Sequence, residues 1–423
     1  MLDVKFIREN PDLVKQAVRK KRLEFGVDEF LVLDENKRKL MAEVEELRAK
    51  QNRASDRISA IADENEKNAA VKELRELKDV LSGKEYEFKK IDTEWRRLML
   101  DVPNIPDPSV PDGADERDAR EERKWGEPRK FDFEPVGHIT LMERLDLLEL
   151  ERGTKVSGFR GYFLKNEAAL LSQAIWLFVL AKLKEKGYTP VLAPVLVKEE
   201  NLFGSGHFPQ SREDVYKTQD DLYLSATAEI PMMGMHSDEV IPESELPKKY
   251  AAFSPCFRRE AGSYGKDTKG IYRLHEFYKV EQLILSRSDH QDSVRLHEEI
   301  TTNAEEVVQA LGLPYRIITL AGGDIGRAHV KTYDIEVWIP SERRYRESHS
   351  SSYYHDFQTR RLNIRYKSKE EETRFCYSLN NTAIATPRIL ISILENNQRS
   401  DGSVEIPEVL RKYTGFDLIG PKT

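Results

Sequence analysis

Two runs of residues at alternating spacings of four and three dominate the first hundred positions. The first comprises Leu33, Lys37, Leu40, Val44, Leu47, Gln51, Ala54, Ile58 and Ile61. The second comprises Ala70, Leu74, Leu77, Leu81, Lys84, Phe88, Ile91, Trp95 and Leu98. A 3.5-residue repeat gathers these positions on one stripe of a helix, and such a stripe is buried only against a partner stripe. Asp63-Glu64-Asn65-Glu66 supplies a short polar turn between the runs. Residues 28–100 are therefore expected to form an antiparallel coiled-coil hairpin. With about 30 residues per helix, the arm would reach roughly 45 Å.

Acidic and basic residues are mixed along this arm. Arg48, Lys50, Arg53 and Arg57 on the first helix, and Lys67, Lys72, Arg75 and Lys78 on the second, cluster toward its tip. A long RNA element could be gripped there through phosphates and shape. Dimerisation or domain spacing would account for a coiled coil as readily.

The chain has 423 residues, 39% hydrophobic and 33% charged, which suits two or three domains. No apolar run is expected to span a membrane, and MLDVKFIRENPDLV reads as a helix start rather than a signal peptide. Cys256 and Cys376 give no disulfide framework and no cysteine-rich zinc site, so a reducing, cytoplasmic compartment is expected. A net charge of −7 leaves a local basic face open.

Residues 103–136 are rich in Pro, Asp, Glu and Gly and read as a linker between the arm (1–102) and a second domain (137–423). In that domain helix-patterned stretches (138–152, 167–186, 288–311) alternate with β-rich runs. The latter are 159–164, 189–197, 221–226, 250–258, 271–285, 315–320, 333–339 and 374–379. The expected class is α+β, with a mainly antiparallel sheet and flanking helices behind the helical arm.

The most informative stretch is Lys249–Gln282. Two aromatic-rich runs flank a loop holding Gly262, Gly265, Lys266, Lys269 and Gly270. The first run ends in Arg258-Arg259-Glu260; the second carries Arg273, His275, Phe277 and Glu281 at alternating positions, which a strand would place on one face. An arginine, an aromatic plate and a carboxylate on one face suit a nucleotide and a small zwitterion. A solvated amphipathic hairpin would carry the same pattern.

The order FRxE, Gly/Lys loop, RxHxF resembles motif 2 of class II aminoacyl-tRNA synthetases. The fuller string CFRREAGSYGKDTKGIYRLHEFYKVE resembles the seryl-tRNA synthetase family in particular. Helix 167–186 followed by Tyr188–Pro194 resembles motif 1, which in that class builds a dimer interface. Leu379–Arg388 (LNNTAIATPR) resembles motif 3, and Asp356–Arg361 (DFQTRR) matches a family string.

The resemblance implies a homodimeric enzyme that activates L-serine with ATP and transfers it to tRNA(Ser), with tRNA(Sec) a further candidate acceptor. Carried over position by position, it assigns Arg258, Arg388 and Glu347 to catalysis. Arg258, Arg259, Glu260, Arg273, Phe277, Glu347, Ser348, His349, Ser350 and Arg388 would bind ATP, with Mg2+ on Glu347 and Ser350. Thr227, Ala228, Glu229, Glu281 and Thr382 would bind serine. His349, Tyr353, Tyr354 and Met232–Met235 depart from the family pattern. The rival readings are a ligase charging a carrier protein and an inactive synthetase-like regulator.

Overall fold

The structure is a computed structural model that describes residues 1–262, 267, 269–368 and 370–421. It contains two compact units. One comprises Met1–Arg19 with Leu23–Pro103; the other comprises Lys20–Arg22 and the chain from Asn104 onward.

The first unit is helical. Short helices α1 (Val4–Glu9) and α2 (Pro11–Lys20) precede two long ones, α3 (Val27–Ala60) and α4 (Glu64–Asp101). At 34 and 38 residues these span roughly 50 and 57 Å, longer than the spacing alone indicated. Asp63 caps α4, its carboxylate accepting from the backbone of Asn65 and Glu66. Every residue of both expected 4-3 runs is buried or half-buried. Lysines fit this stripe because they are paired. Lys37 lies 2.8 Å from Asp92 and over the Trp95 ring, and Lys84 lies 2.9 Å from Glu43. At the base, Asp34 accepts from Arg8 and from the Trp95 indole.

The second unit is built on eight strands. These are β1 (Arg120–Trp125), β2 (Thr189–Leu192), β3 (Lys248–Phe257), β4 (Glu276–Ser286), β5 (Tyr315–Thr319), β6 (Lys331–Ile339), β7 (Arg344–His355) and β8 (Tyr377–Thr386). They lie in the order β1-β5-β6-β7-β8-β4-β3-β2. Neighbours are antiparallel except the β2–β3 pair. Helices α5 (Asn166–Glu185), α6 (Glu229–Gly234), α7 (His290–Ala310) and α8 (Arg388–Asn396) complete the frame that matters for the site. The main core joins Leu171, Ile175, Val179 and Leu183 of α5 to Leu296, Ile300 and Val307 of α7 and to Ile317, Ile335 and Ile384 of the sheet. Helix α5 is long and apolar enough, by length and composition only, to cross a membrane. Its inner face nevertheless packs into this core.

Several elements differ from expectation. Residues 103–136 are not simply a linker: Arg120–Trp125 forms an edge strand paired with β5. Its side chains are almost all exposed, so the sequence carries charges where a buried strand would carry apolar residues. The run 271–285 becomes a strand only at Glu276, and 159–164 shrinks to Phe163–Leu164. Strand β7 lies where no strand was expected. Gly265 and Lys266 lie outside the described residues.

Candidate active site

A cavity of about 300 Å³ opens on the second unit. Ser350 and Ser352 of β7 line it, whereas Ser351 between them bonds to Thr301 of α7. The cavity therefore lies on the sheet face opposite α7. Phe277, Lys279 and Glu281 of β4 and Asn380 and Thr382 of β8 line the same face, each at period two.

Two β-bulges set which residues reach it. Ile335 pairs with His349 and Glu336 with Glu347, so Ser348 is an extra residue on β7. Glu347 and Ser350, three apart, would sit on opposite faces of a regular strand; the extra residue turns both toward the cavity. On β8, Thr382 pairs with Glu281 and Ile384 with Val280, which makes Ala383 the extra residue. Thr382 and Ala385 consequently share the cavity face.

One cluster in the cavity is built around charge. Arg388, the first residue of α8, places Nη1 3.2 Å from Glu347 Oε1 and stacks 4.5 Å over Tyr272. The Arg258 guanidinium lies 5.1 Å from the Phe277 ring centroid. Arg273 pairs with Glu260 at 2.6 Å, and Glu260 holds a left-handed φ of 55°. Burial pushes the Glu347 carboxyl up, but Arg388, Arg258 and Arg273 outweigh it and hold it below the ordinary carboxylate range. Behind it Asp334, opposite Ser350 on β6, is raised well above its ordinary value by burial and then by the Glu347 charge. Asp334 Oδ1 is buried with no hydrogen-bond partner.

The second cluster is compact and polar. Lys279 Nζ lies 2.5 Å from Glu281 Oε2 and 3.3 Å from Thr382 Oγ1, which itself lies 3.2 Å from Glu281 Oε2. Thr227 Oγ1 accepts from the Glu229 backbone, and Gln358 donates to the Glu229 carboxylate at 2.6 Å. Burial, and after it the charge of Glu281, raises Glu229 to about 7. The two clusters together offer cations and a metal-seeking carboxylate to a polyphosphate, and paired carboxylates with hydroxyls to a small ammonium compound.

The chain matches the model of the seryl-tRNA synthetase N-terminal domain over residues 1–106, and that of the class II tRNA synthetase core domain (G, H, P, S and T) over 213–397. The serine–tRNA ligase of Deinococcus radiodurans is 42% identical, covering 98% of this chain and 98% of its own. The chain belongs to the serine–tRNA ligase family.

The serine–tRNA ligase of Thermodesulfovibrio yellowstonii is also 42% identical, over 99% of this chain and 100% of its own. Among solved structures, a seryl-tRNA synthetase from Pyrococcus horikoshii complexed with ATP superposes with a TM-score of 0.91 at 41% identity, covering 100% of each chain. The cytoplasmic serine–tRNA ligase of Naegleria fowleri in complex with AMP gives 0.87 at 33%, covering 100% of this chain and 99% of its own. The family makes this chain an aminoacyl-tRNA ligase, and no observation favours the carrier-protein or inactive-regulator readings.

Against that serine–tRNA ligase frame, the expected residues fall into two groups. Thr227, Glu229, Arg258, Glu260, Arg273, Phe277, Glu281, Glu347, Ser348, Ser350, Thr382 and Arg388 all line the cavity. Three others are placed elsewhere. Ala228 is buried in an apolar cluster with Met232 and Met233, so those methionines are packing residues. Arg259 turns to the Glu213 carbonyl. His349, fully buried, follows the bulge on the opposite parity from Ser348 and Ser350. His275 bonds to the Arg258 carbonyl and lines a separate hollow with Tyr216. Of the departures from the family pattern, Tyr354 lines the cavity while Tyr353 packs in the core.

Sequence reasoning missed Lys279, Asn380, Tyr272, His207 and His329. Alternation could have found the first two, since they lie two residues from Glu281 and Thr382. His207 and His329 come from separate loops, with no local signal.

Proposed function

We propose that this chain activates L-serine with ATP and passes it to tRNA(Ser), with tRNA(Sec) a further acceptor, both steps taking place in the one cavity. A serine carboxylate oxygen attacks the α-phosphorus of ATP; the bond to the bridging oxygen breaks and pyrophosphate leaves. The 3′-terminal ribose hydroxyl of tRNA then attacks the adenylate carbonyl and AMP leaves. The observation that carries this reading is the meeting of the Arg258–Phe277–Glu347–Arg388 cluster and the Thr227–Glu229–Glu281–Thr382 cluster in a single cavity.

Catalysis here is chiefly positioning and charge neutralisation. Arg258 holds the α-phosphate and Arg388 the γ-phosphate, each with a forked donor that pairs with phosphate oxygens. Phe277 stacks on adenine, and Glu260, held by Arg273, positions the nucleotide. Thr227 and Glu229 take the serine ammonium; Glu281 and Thr382 take its hydroxyl. Lys279, already bonded to Glu281, places a cation beside the serine carboxylate.

The oxygen donors of Glu347 and Ser350 fit Mg2+. The orphaned Asp334 Oδ1 behind them marks a spot short of positive charge. Among the described residues no group of three His, Cys, Asp or Glu side chains could cage a metal, so phosphate oxygens and water would complete the coordination. When bound, the ion would neutralise phosphate charge.

Two surfaces support the partners. Leu170 and Leu177 on α5 and Leu192 on β2 are 50%, 56% and 79% exposed, an apolar face suited to a second copy of the chain. On the arm, Arg48 and Lys50 sit in ion pairs, whereas Arg53, Arg57, Lys67, Lys72, Arg75 and Lys78 are in none among the described residues. Cations outside close ion pairs toward the tip suit tRNA phosphates. The cytoplasm, where tRNA and ATP are available, is the fitting compartment. Serine-dependent ATP–pyrophosphate exchange, followed by charging of total tRNA, tests the whole reading; absence of exchange overturns it.

A further inference from the structure

Lys21 is a buried lysine with no role in the chemistry above. It is 2% exposed, and its ammonium donates to the carbonyls of Gly326, Arg327 and His329 at 2.9, 2.8 and 2.6 Å. Three carbonyls can all be satisfied only by the three N–H bonds of the charged form. Burial works against that charge and holds the group well below its ordinary range. A buried charge kept in this way is costly to place, which argues for a specific use.

The segment it holds, residues 326–329, is a turn with one bond of its own, from the His329 N–H to the Gly326 carbonyl; its other carbonyl bonds go to groups distant in sequence. Asn104 completes the set: its backbone N–H donates to the Arg327 carbonyl, and its amide donates to those of Ala328 and Tyr354. A Cβ on Gly326 would come within 2.5 Å of His329 Nδ1, so the turn folds directly over the imidazole. Burial, and after it the charge of Lys21, keeps His329 neutral, at about 3.

The imidazole faces the cavity. His329 Nε2 lies 3.0 Å from the Tyr354 hydroxyl, which lies 3.0 Å from Asn380 Nδ2 and 3.3 Å from Asn380 Oδ1. Asn380 in turn supports the Glu229 carboxylate. If His329 carries its proton on Nε2, Tyr354 donates to Asn380 Oδ1 and both amide N–H bonds stay available to the Glu229 side. The other tautomer turns the hydroxyl toward the ring, so that one of the two amide N–H bonds goes to Tyr354 and the amide is held from its nitrogen instead of its oxygen.

We propose that Lys21 is a positioning residue for the amino-acid end of the cavity. It anchors the 326–329 turn, the turn presents His329 to Tyr354, and Tyr354 fixes the Asn380 amide beside Glu229. This rests on Glu229 receiving the serine ammonium.

The test is ATP–pyrophosphate exchange by the full chain, with KM measured separately for serine and ATP. In Lys21→Met, KM for serine rises roughly ten-fold, the cost of one misplaced buried hydrogen-bond partner, while KM for ATP stays within about two-fold. His329→Ala and Tyr354→Phe show the same split, and the Lys21→Met/His329→Ala double variant is no worse than the weaker single, because the groups act in series. An unchanged serine KM in folded Lys21→Met, a parallel rise in both KM values, or multiplying effects in the double variant would overturn the proposal. If Lys21→Met does not fold, the other two single variants decide: unchanged serine KM in both overturns it. Loss of serine-dependent exchange in the unaltered chain would instead overturn the function itself.

Discussion

Arg388 Nη1 stands 3.2 Å from Glu347 Oε1, so the cation proposed for the nucleotide's phosphates and the carboxylate proposed for its metal neutralise each other. Each is then preorganised for its ligand without being left as a bare charge. Arg388→Ala should lower exchange by about 100-fold or more, the typical cost of removing a preorganised charged donor. The loss should appear in kcat and in KM for ATP, with KM for serine little changed. Steady-state exchange at varied ATP checks this, and a defect confined to serine would contradict the assignment.

Glu229 titrates at about 7 in the folded chain, against an ordinary value of 4.5. Between those values the folded chain binds more protons than the unfolded one. The associated stability is complete below about 4.5 and is lost as pH rises through about 7. The proposed contact of Glu229 with the serine ammonium needs the opposite, charged form. The serine kcat/KM should therefore rise from pH 6 to 8 and then level. Glu229→Gln should flatten that profile and raise KM, yet melt no lower than the unaltered chain at pH 8. A profile that persists in Glu229→Gln assigns the titration to another group.

Lys279 and Glu281 form a buried ion pair, their side chains 7% and 4% exposed. Removing one partner leaves the other charge uncompensated, which costs about 3–5 kcal/mol. Lys279→Met should be destabilised by that order in urea unfolding, and the Lys279→Met/Glu281→Gln pair by clearly less. Equal destabilisation in the single and double variants would show that packing, not charge, is what Lys279 supplies.

The arm should matter only for the second step. Replacing Arg53, Arg57, Lys72 and Arg75 with Glu should leave serine-dependent exchange within about two-fold, since none of these residues lines the cavity. Charging of tRNA should fall by at least about 100-fold and show a shallower salt dependence. Filter-binding and charging assays across salt concentrations check it, and unaffected charging removes the arm from tRNA recognition.

What the sequence made legible follows from what is local. The heptad runs predicted the stripe of α3 and α4 residue by residue, because a coiled coil buries by spacing alone. Phe277, Glu281 and Thr382 were readable from period-two alternation and family strings. The bulges at Ser348 and Ala383 were not, since an extra residue leaves no mark in composition, and they decide that Glu347 and Ser350 share the cavity while His349 does not. Arg259 and Ala228 failed to reach it because each sits one residue out of phase with a neighbour that does. The Lys21–His329–Tyr354 set joins three distant segments, and only the tertiary fold brings them together. Strand β1 hid in a charged stretch because an exposed edge needs no apolar signature.

On the proposed reading, one cavity takes ATP beside a hydroxyl-bearing amino acid and joins them. Pyrophosphate exchange by the full chain with serine, and in parallel with alanine, tests it most directly. Alanine brings no hydroxyl to Glu281 and Thr382, which would then have only Lys279 and each other, so exchange with serine should exceed that with alanine by about 10²-fold or more in kcat/KM. No serine-dependent exchange, or equal exchange with both, would contradict the account.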